Sequence, residues 1–309
     1  MPIGLGGDIA AQRQLIRVMF GNDADVWVGR QYGPFQITEL LGRGTVAHVY
    51  RAETRVGEVA LKVLTPFAEA RAEVRSLFEQ EYELMARLDH PNVLKAYQAG
   101  VIANTHYMEI ELIEGETVWD RVQREQRIPL AESVRIVQQM CAALDHVHQH
   151  RIVHRDVKPS NIMLAPEDRA VLFDFGLSHD MDGPPPPEGR VFGSPLFLAP
   201  EQAVAGPVDA RTDLYALGAT LYRLTVGAAP FYGDRNDLLH AHVKLDPPDP
   251  RTKGVADDLS DVILQAMRKD PDERFQSGAD FAAALATVEI PDEPEPRRRG
   301  LLRRLGNKS

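Results

Sequence analysis

The chain has 309 residues, room for one large or two modest domains, and its 44% hydrophobic and 26% charged content suits a folded core. A net charge of −10 argues against nucleic-acid binding by the protein as a whole. The single cysteine, Cys141, excludes an intrachain disulfide framework and a cysteine-rich metal site, which fits a reducing cytoplasm.

In chain order, the first residues lack a basic stretch followed by an apolar core, and Pro2 stands where myristoylation requires glycine, so neither a secretory leader nor a lipid anchor is expected. Residues 1–34 read as an extension, with a short amphipathic helix over 10–20 (AAQRQLIRVMF). From Phe35 the pattern turns to strands: FQITELL, then HVYRAET, then EVALKVL, an antiparallel meander interrupted by Gly42 and Gly44. A helix is predicted over 68–88, where Val74, Leu77, Phe78, Leu84, Met85 and Leu88 recur at helical spacing before His90-Pro91 stops it. Strands follow around 94–99 and 105–112. Beyond Gly115 the chain reads as helical, with segments at 133–150, 211–226, 259–268 and 277–287. The apolar window 214–231 contains Arg223 and two tyrosines and runs into Pro230, so a buried helix explains it better than a membrane span. A basic tail, RRRGLLRRLGNKS, closes the chain behind the acidic spacer PDEPEP.

The chemistry begins at LGRGTVAHVY, residues 41–50, between two predicted strands. Glycines allow a backbone to approach phosphates closely, although two glycines in a hairpin are by themselves a turn. Lys62 then sits in an apolar strand, where a cation is costly to bury without an anionic partner, and Glu81 on the following helix can supply one. The decisive cluster is IVHRDVKPSNIML, residues 152–164, followed by Asp174-Phe175-Gly176. Phosphoryl transfer needs an acceptor for the substrate hydroxyl proton, a cation near the moving group and ligands for magnesium. Asp156, Lys158, Asn161 and Asp174 supply those types, each carboxylate following a short apolar run that would display it at a strand end.

Taken together and in this order, the glycine-rich loop, VALK, HRDVKPSN, DFG, GSPLFLAPE, TDLYALG and DPDERF resemble the eukaryotic-like (Hanks-type) protein kinase family, in its bacterial Ser/Thr branch. The resemblance covers residues 35–288. It implies an α+β, bilobal protein-kinase-like fold: a small β-rich N-lobe with one main helix (35–113) and a larger, mostly helical C-lobe (114–288). Residues 1–34 and 289–309 flank it.

The same resemblance implies ATP and Mg²⁺ as cofactors and assigns residues to them. Leu41, Gly42, Gly44 and Val49 would cover the nucleotide, and Lys62 would bind its α- and β-phosphates while paired with Glu81. Ile110 is the expected gatekeeper, and adenine would bond the Glu111 carbonyl and the Ile113 N–H between Ala60 and Met163. Asp156 would take the substrate proton, Lys158 would stabilise the γ-phosphoryl charge, and Asn161 and Asp174 would hold the metal. Asp213 is expected to brace the catalytic loop, and Glu201 to pair with Arg274. Two departures stand out: Ala47 replaces the third glycine of the loop, and Ser194 replaces the usual threonine, keeping a hydroxyl able to bond Asp156.

DMDGPPPPEGR, residues 180–190, thereby becomes part of an activation segment rather than a linker. Between Gly176 and Gly193 the only hydroxyl is Ser178, too close to Asp174 for the usual phosphorylation site. The expectation is a loop that needs no phosphate, with Glu188 or Asp182 offering Arg155 a fixed carboxylate; an exposed proline bulge is the alternative. The implied function is a cytoplasmic serine/threonine protein kinase acting on protein Ser/Thr acceptors, with its signal arriving through a separate regulatory partner. A pseudokinase-like nucleotide-binding scaffold is the alternative, and a small-molecule kinase is disfavoured by the peptide-positioning GSPLFLAPE. The tail could touch anionic membrane lipid or remain solvated.

Overall fold

A computed structural model describes residues 27–184 and 189–289. The helix expected at 10–20, Glu188 and the basic tail lie outside the described residues.

The smaller lobe is a six-stranded sheet in the order β1-β2-β3-β4-β6-β5, antiparallel throughout. Its strands are β1 (Gln31–Tyr32), β2 (Phe35–Arg43), β3 (Ala47–Thr54), β4 (Gly57–Leu64), β5 (Ala96–Ile102) and β6 (Thr105–Ile110). Alternation decides what each face of β4 meets. Val59, Leu61 and Val63 join Tyr32, Phe35, Ile37, Tyr50 and Tyr107 in an apolar cluster on one face. Ala60 and Leu64 face the other way, into the core continuous with the larger lobe, and Lys62 lies between them on that side.

The helix predicted over 68–88 is two helices, α1 (Pro66–Glu69) and α2 (Ala72–Met85). The Thr65 hydroxyl accepts from the Ala68 N–H and Pro66 occupies the first turn, so α1 starts earlier than periodicity suggested. Arg71 is extended (φ −114°, ψ 114°) and separates the two. On α2, Phe78, Glu81, Leu84 and Met85 form the buried face, which places a carboxylate among apolar neighbours and opposite Lys62.

Beyond β6 come β7 (Glu116–Thr117), α3 (Val118–Glu125), α4 (Leu130–Gln149), β8 (Ile152–Val153), β9 (Ile162–Ala165), β10 (Arg169–Leu172) and β11 (His179–Asp180). The helices α5 (Pro200–Ala203), α6 (Ala210–Val226), α7 (Arg235–Lys244), α8 (Asp257–Ala266) and α9 (Gly278–Ala286) complete the larger lobe. The apolar window 214–231 falls mostly on α6, which is buried on nearly every side and packs against α4. Among the described residues, no helix is long and apolar enough to cross a membrane. The β9–β10 hairpin and the short β8–β11 pair carry the loops that display Asp156 and Asp174. Backbone bonds from Leu94 N–H to Leu172 O (2.9 Å) and from Leu172 N–H to Asn92 O (2.8 Å) tie the two lobes together.

Candidate active site

Lys62 Nζ lies 2.7 Å from both carboxylate oxygens of Glu81. Burial alone would lower the lysine pKa; the Glu81 carboxylate and, behind it, Asp174 outweigh that and hold it above its ordinary value. Strand β4 and helix α2 are thus locked at the distance a lysine–glutamate pair sets, with the ammonium directed into the cleft between the lobes.

On the opposite wall, Asp156 follows β8 and its carboxylate is held from three sides. Lys158 Nζ approaches Oδ2 at 2.5 Å, Asn161 Nδ2 donates to the same oxygen at 3.0 Å, and the Ser194 N–H donates to Oδ1 at 3.0 Å. Asn161 Nδ2 also donates to the Asp156 carbonyl at 2.9 Å, which leaves its amide oxygen turned to other work. The Ser194 hydroxyl accepts from Lys158 Nζ at 2.6 Å. The expected bond from that hydroxyl to Asp156 is therefore made by the backbone N–H instead. The smaller serine side chain sits on the lysine, and the main chain reaches the carboxylate.

Asp213, fully buried on α6, explains how the loop stays in place. Its carboxylate accepts from the His154 N–H (2.8 Å), the Arg155 N–H (2.7 Å) and His148 Nε2 (2.8 Å). Arg155 is left-handed at φ +66°, and Asp174 at φ +68°. Such conformations cost a non-glycine residue of order 1 kcal/mol and persist where surrounding bonds over-determine them. Phe175 is buried against His154, ring centroids 4.8 Å apart, and His154 Nε2 lies 3.2 Å from the Phe173 carbonyl. Those contacts hold Asp174 near Gly176, where an added Cβ would meet Asp174 Oδ1 at 3.5 Å and Glu81 Oε2 at 3.6 Å.

The nucleotide-side residues come together less tightly. Ala60, Val49 and Met163 share one apolar cluster, and Ala60 pairs with Ile110, whereas Leu41 at the rim is 43% exposed. Glu111 and Ile113 follow β6; the Glu111 N–H is taken by the Lys95 carbonyl and its carboxylate is bridged by Arg169 at 2.6 Å. Gly44 and Ala47 close the loop tip: the Gly44 N–H donates to the Ala47 carbonyl at 2.9 Å, and a Cβ on Gly44 would fall 2.8 Å from that oxygen. Ala47 itself is not in a left-handed conformation, so the missing third glycine carries no backbone strain.

Among the described residues no group of three acids or histidines could hold a metal ion. The Asn161 amide and the Asp174 carboxylate suit a hard ion that takes its remaining oxygens from phosphates and water. The 340 Å³ groove lined by Glu114, Arg121, Glu132, Arg135 and Asp168 involves none of these candidate side chains.

Farther out, Glu201 takes both Arg274 nitrogens at 2.9 and 2.8 Å and also accepts from the Thr212 hydroxyl at 2.7 Å. In the activation segment, Asp182 does not meet Arg155. Its carboxylate lies 3.3 Å from Arg151 Nε, and Asp180 pairs with Arg87 at 2.6 Å. Sequence reasoning missed Arg169 and Gln202, whose amide donates to the Arg155 carbonyl at 2.9 Å. It also missed Phe192, which faces the Arg155 guanidinium.

Residues 35–285 match the protein kinase domain family. The chain is 36% identical over 270 residues to serine/threonine-protein kinase PknD of Mycobacterium tuberculosis, covering 85% of this chain and 41% of that protein. It is 34% identical over 272 residues to serine/threonine-protein kinase PknB of Mycobacterium leprae, covering 84% and 44%. The chain thus spans about two-fifths of the length of these curated relatives. The solved Mycobacterium tuberculosis PknI kinase domain superposes with a TM-score of 0.65 at 30% identity, covering 84% of this chain and 97% of that one. By motif order, fold and these matches, the chain belongs to the protein kinase family, in its bacterial Hanks-type Ser/Thr branch.

Proposed function

We propose that this chain is an active serine/threonine protein kinase that moves the γ-phosphoryl group of Mg-ATP to protein hydroxyls without needing phosphate on its activation segment. The observation that carries this is the simultaneous assembly of both walls: the two-pronged Lys62–Glu81 pair and the Asp156–Lys158–Asn161–Ser194 network. Kinase catalysis is mostly positioning and charge stabilisation, and those are the groups it positions.

In this proposal Lys62 holds the α- and β-phosphates, and the backbone of Gly42 to Val49 covers them. Asn161 and Asp174 would hold magnesium, which neutralises charge on the phosphoryl group when bound. Asp156, its orientation fixed by Ser194 and Asn161, accepts the hydrogen bond of the substrate hydroxyl and takes its proton. Lys158, bridging Asp156 and Ser194, sits where the transferred group's charge develops, so its position depends on the activation segment being in place. Of the two features that favoured the pseudokinase alternative, Ala47 and the unusual loop, the first carries no backbone strain.

Protein substrates, a separate regulatory partner and a cytoplasmic site of action extend this proposal, as does contact of the tail with anionic lipid, which vesicle co-sedimentation of the chain with and without residues 297–309 tests. The kinase assignment is tested by incubating the wild type and Asp156→Asn with Mg-ATP and a generic basic protein. Transfer to Ser/Thr by the wild type, reduced by at least about 10²-fold in the variant, is expected for loss of a general base. Equal, near-zero transfer by both would favour a scaffold.

A further inference from the structure

Arg155 is anchored through its backbone at both ends, to Asp213 and to Gln202, yet its side chain forms no ion pair among the described residues, the Asp213 charge acting on it only from a distance. Its Nε is buried without a hydrogen-bond partner there, and burial lowers its pKa. What faces the guanidinium is the Phe192 ring, 5.0 Å from Cζ to the centroid. Arginine over an aromatic face is an attractive geometry, stronger as water is excluded.

The residues after Phe192 carry the contact to the catalytic aspartate. Gly193 has φ +102°, and a Cβ there would fall 3.1 Å from the Arg155 carbonyl and 2.9 Å from Leu198, so only glycine lets the chain pass this closely. The next N–H, of Ser194, is the one that donates to Asp156 Oδ1. On the upstream side, Arg235 of α7 donates to the Val191 carbonyl at 3.2 Å. Residues 191, 192 and 194 are therefore held to α7, to the Arg155 side chain and to Asp156, with Gly193 passing close to the Arg155 carbonyl between them. From His179 to Gly193 the sequence offers no hydroxyl to phosphorylate.

We propose that Phe192 is a positioning residue: its ring on Arg155 fixes Gly193 and Ser194 against Asp156, an uncharged contact where the described residues of the activation segment supply no ion pair to this arginine. This rests on the proposal that the chain is an active kinase independent of loop phosphate, and specifies how that independence is built.

The test uses the full chain, purified with phosphatase treatment, as wild type, Phe192→Leu, Phe192→Tyr, Arg155→Leu and the Phe192→Leu/Arg155→Leu double variant. Turnover of a basic protein substrate, the KM for ATP and thermal melting are measured for each. Phe192→Leu is expected to lower kcat about 5- to 30-fold, the range of a desolvated cation–π contact. Its KM for ATP should stay within about twofold, since the Phe192 ring bears on Arg155 rather than on the nucleotide-side residues. Phe192→Tyr, which keeps the aromatic face, should restore turnover, and the double variant should be no worse than the poorer single one because the two side chains act as a unit. Phe192→Leu with wild-type turnover, Phe192→Tyr as impaired as Leu, or additive losses in the double variant would overturn the role of Phe192. Loss of wild-type turnover on phosphatase treatment would instead overturn the phosphate independence beneath it. Should Phe192→Leu melt early, the Arg155→Leu and Phe192→Tyr arms still decide the matter.

Discussion

At the scale of single residues, the site is governed by who supplies the compensating charge or donor. Lys62 is tolerable in a buried strand because Glu81 takes it with both oxygens, and Arg155, whose Nε has no hydrogen-bond partner among the described residues, has the Phe192 aromatic face against its guanidinium. Of the two carboxylates expected for Arg155, Asp182 lies against Arg151 instead, and Glu188 falls outside the described residues. Which of several arginines wins a given acid depends on tertiary distances that spacing does not encode. Ala47 gives the residue-scale prediction. Its backbone is not left-handed, so Ala47→Gly relieves nothing and should leave the KM for ATP within about twofold while costing roughly 0.5–1 kcal/mol of strand stability. Steady-state kinetics together with denaturant unfolding check this. A tenfold gain in ATP affinity would mean that the loop does need a glycine there.

Elements were legible where periodicity was strong. The meander, α4, α6, α8 and α9 emerge within a few residues of their predicted bounds, because each buries a clear apolar stripe or face. α3 and α7 were missed. They are short and polar, and their clearest signals were caps that periodicity ignores: Thr117 bonding the Asp120 N–H, and Asp234 bonding the Asn236 and Asp237 N–H groups. The split between α1 and α2 was hidden for a related reason, since one apolar pattern runs across the extended Arg71.

α7 also carries His242, fully buried, with Nδ1 3.0 Å from the Tyr215 hydroxyl. Burial, reinforced by the nearby Lys269 cation, lowers its pKa from 6.5 to about 4. The unfolded chain therefore takes up a proton near pH 6.5 that the folded chain refuses until about pH 4. Stability from this group is complete above pH 6.5 and is lost as pH falls toward 4. Between pH 7 and 5 the loss is about 2 kcal/mol. Denaturant unfolding at both pH values should show that His242→Gln loses about that much less than the wild type. Equal losses would place the pH dependence on other groups.

For the whole molecule, two lobes meet at a cleft whose facing walls are tied by different means. The upper wall depends on the Lys62–Glu81 pair; the lower depends on Asp213 within α6 and on the activation segment that reaches back to Asp156. The order of the candidate residues was readable from sequence because Asp156 and Asp174 each follow a short apolar strand, β8 and β10. The Glu201–Arg274 pair, 73 residues apart, was reachable only through family resemblance. The bracing by Phe192, Gln202 and Arg169 was reachable by neither route.

An enzyme whose site is assembled from the outset behaves differently in time from one that must first modify its own loop. The most direct test is the early time course of phosphate transfer to a basic protein by the phosphatase-treated chain, at several enzyme concentrations. Transfer that is linear from the first turnovers, at a rate proportional to enzyme, is the predicted result. A lag that shortens with enzyme concentration, and that tracks phosphate entering residues 177–193, would contradict it.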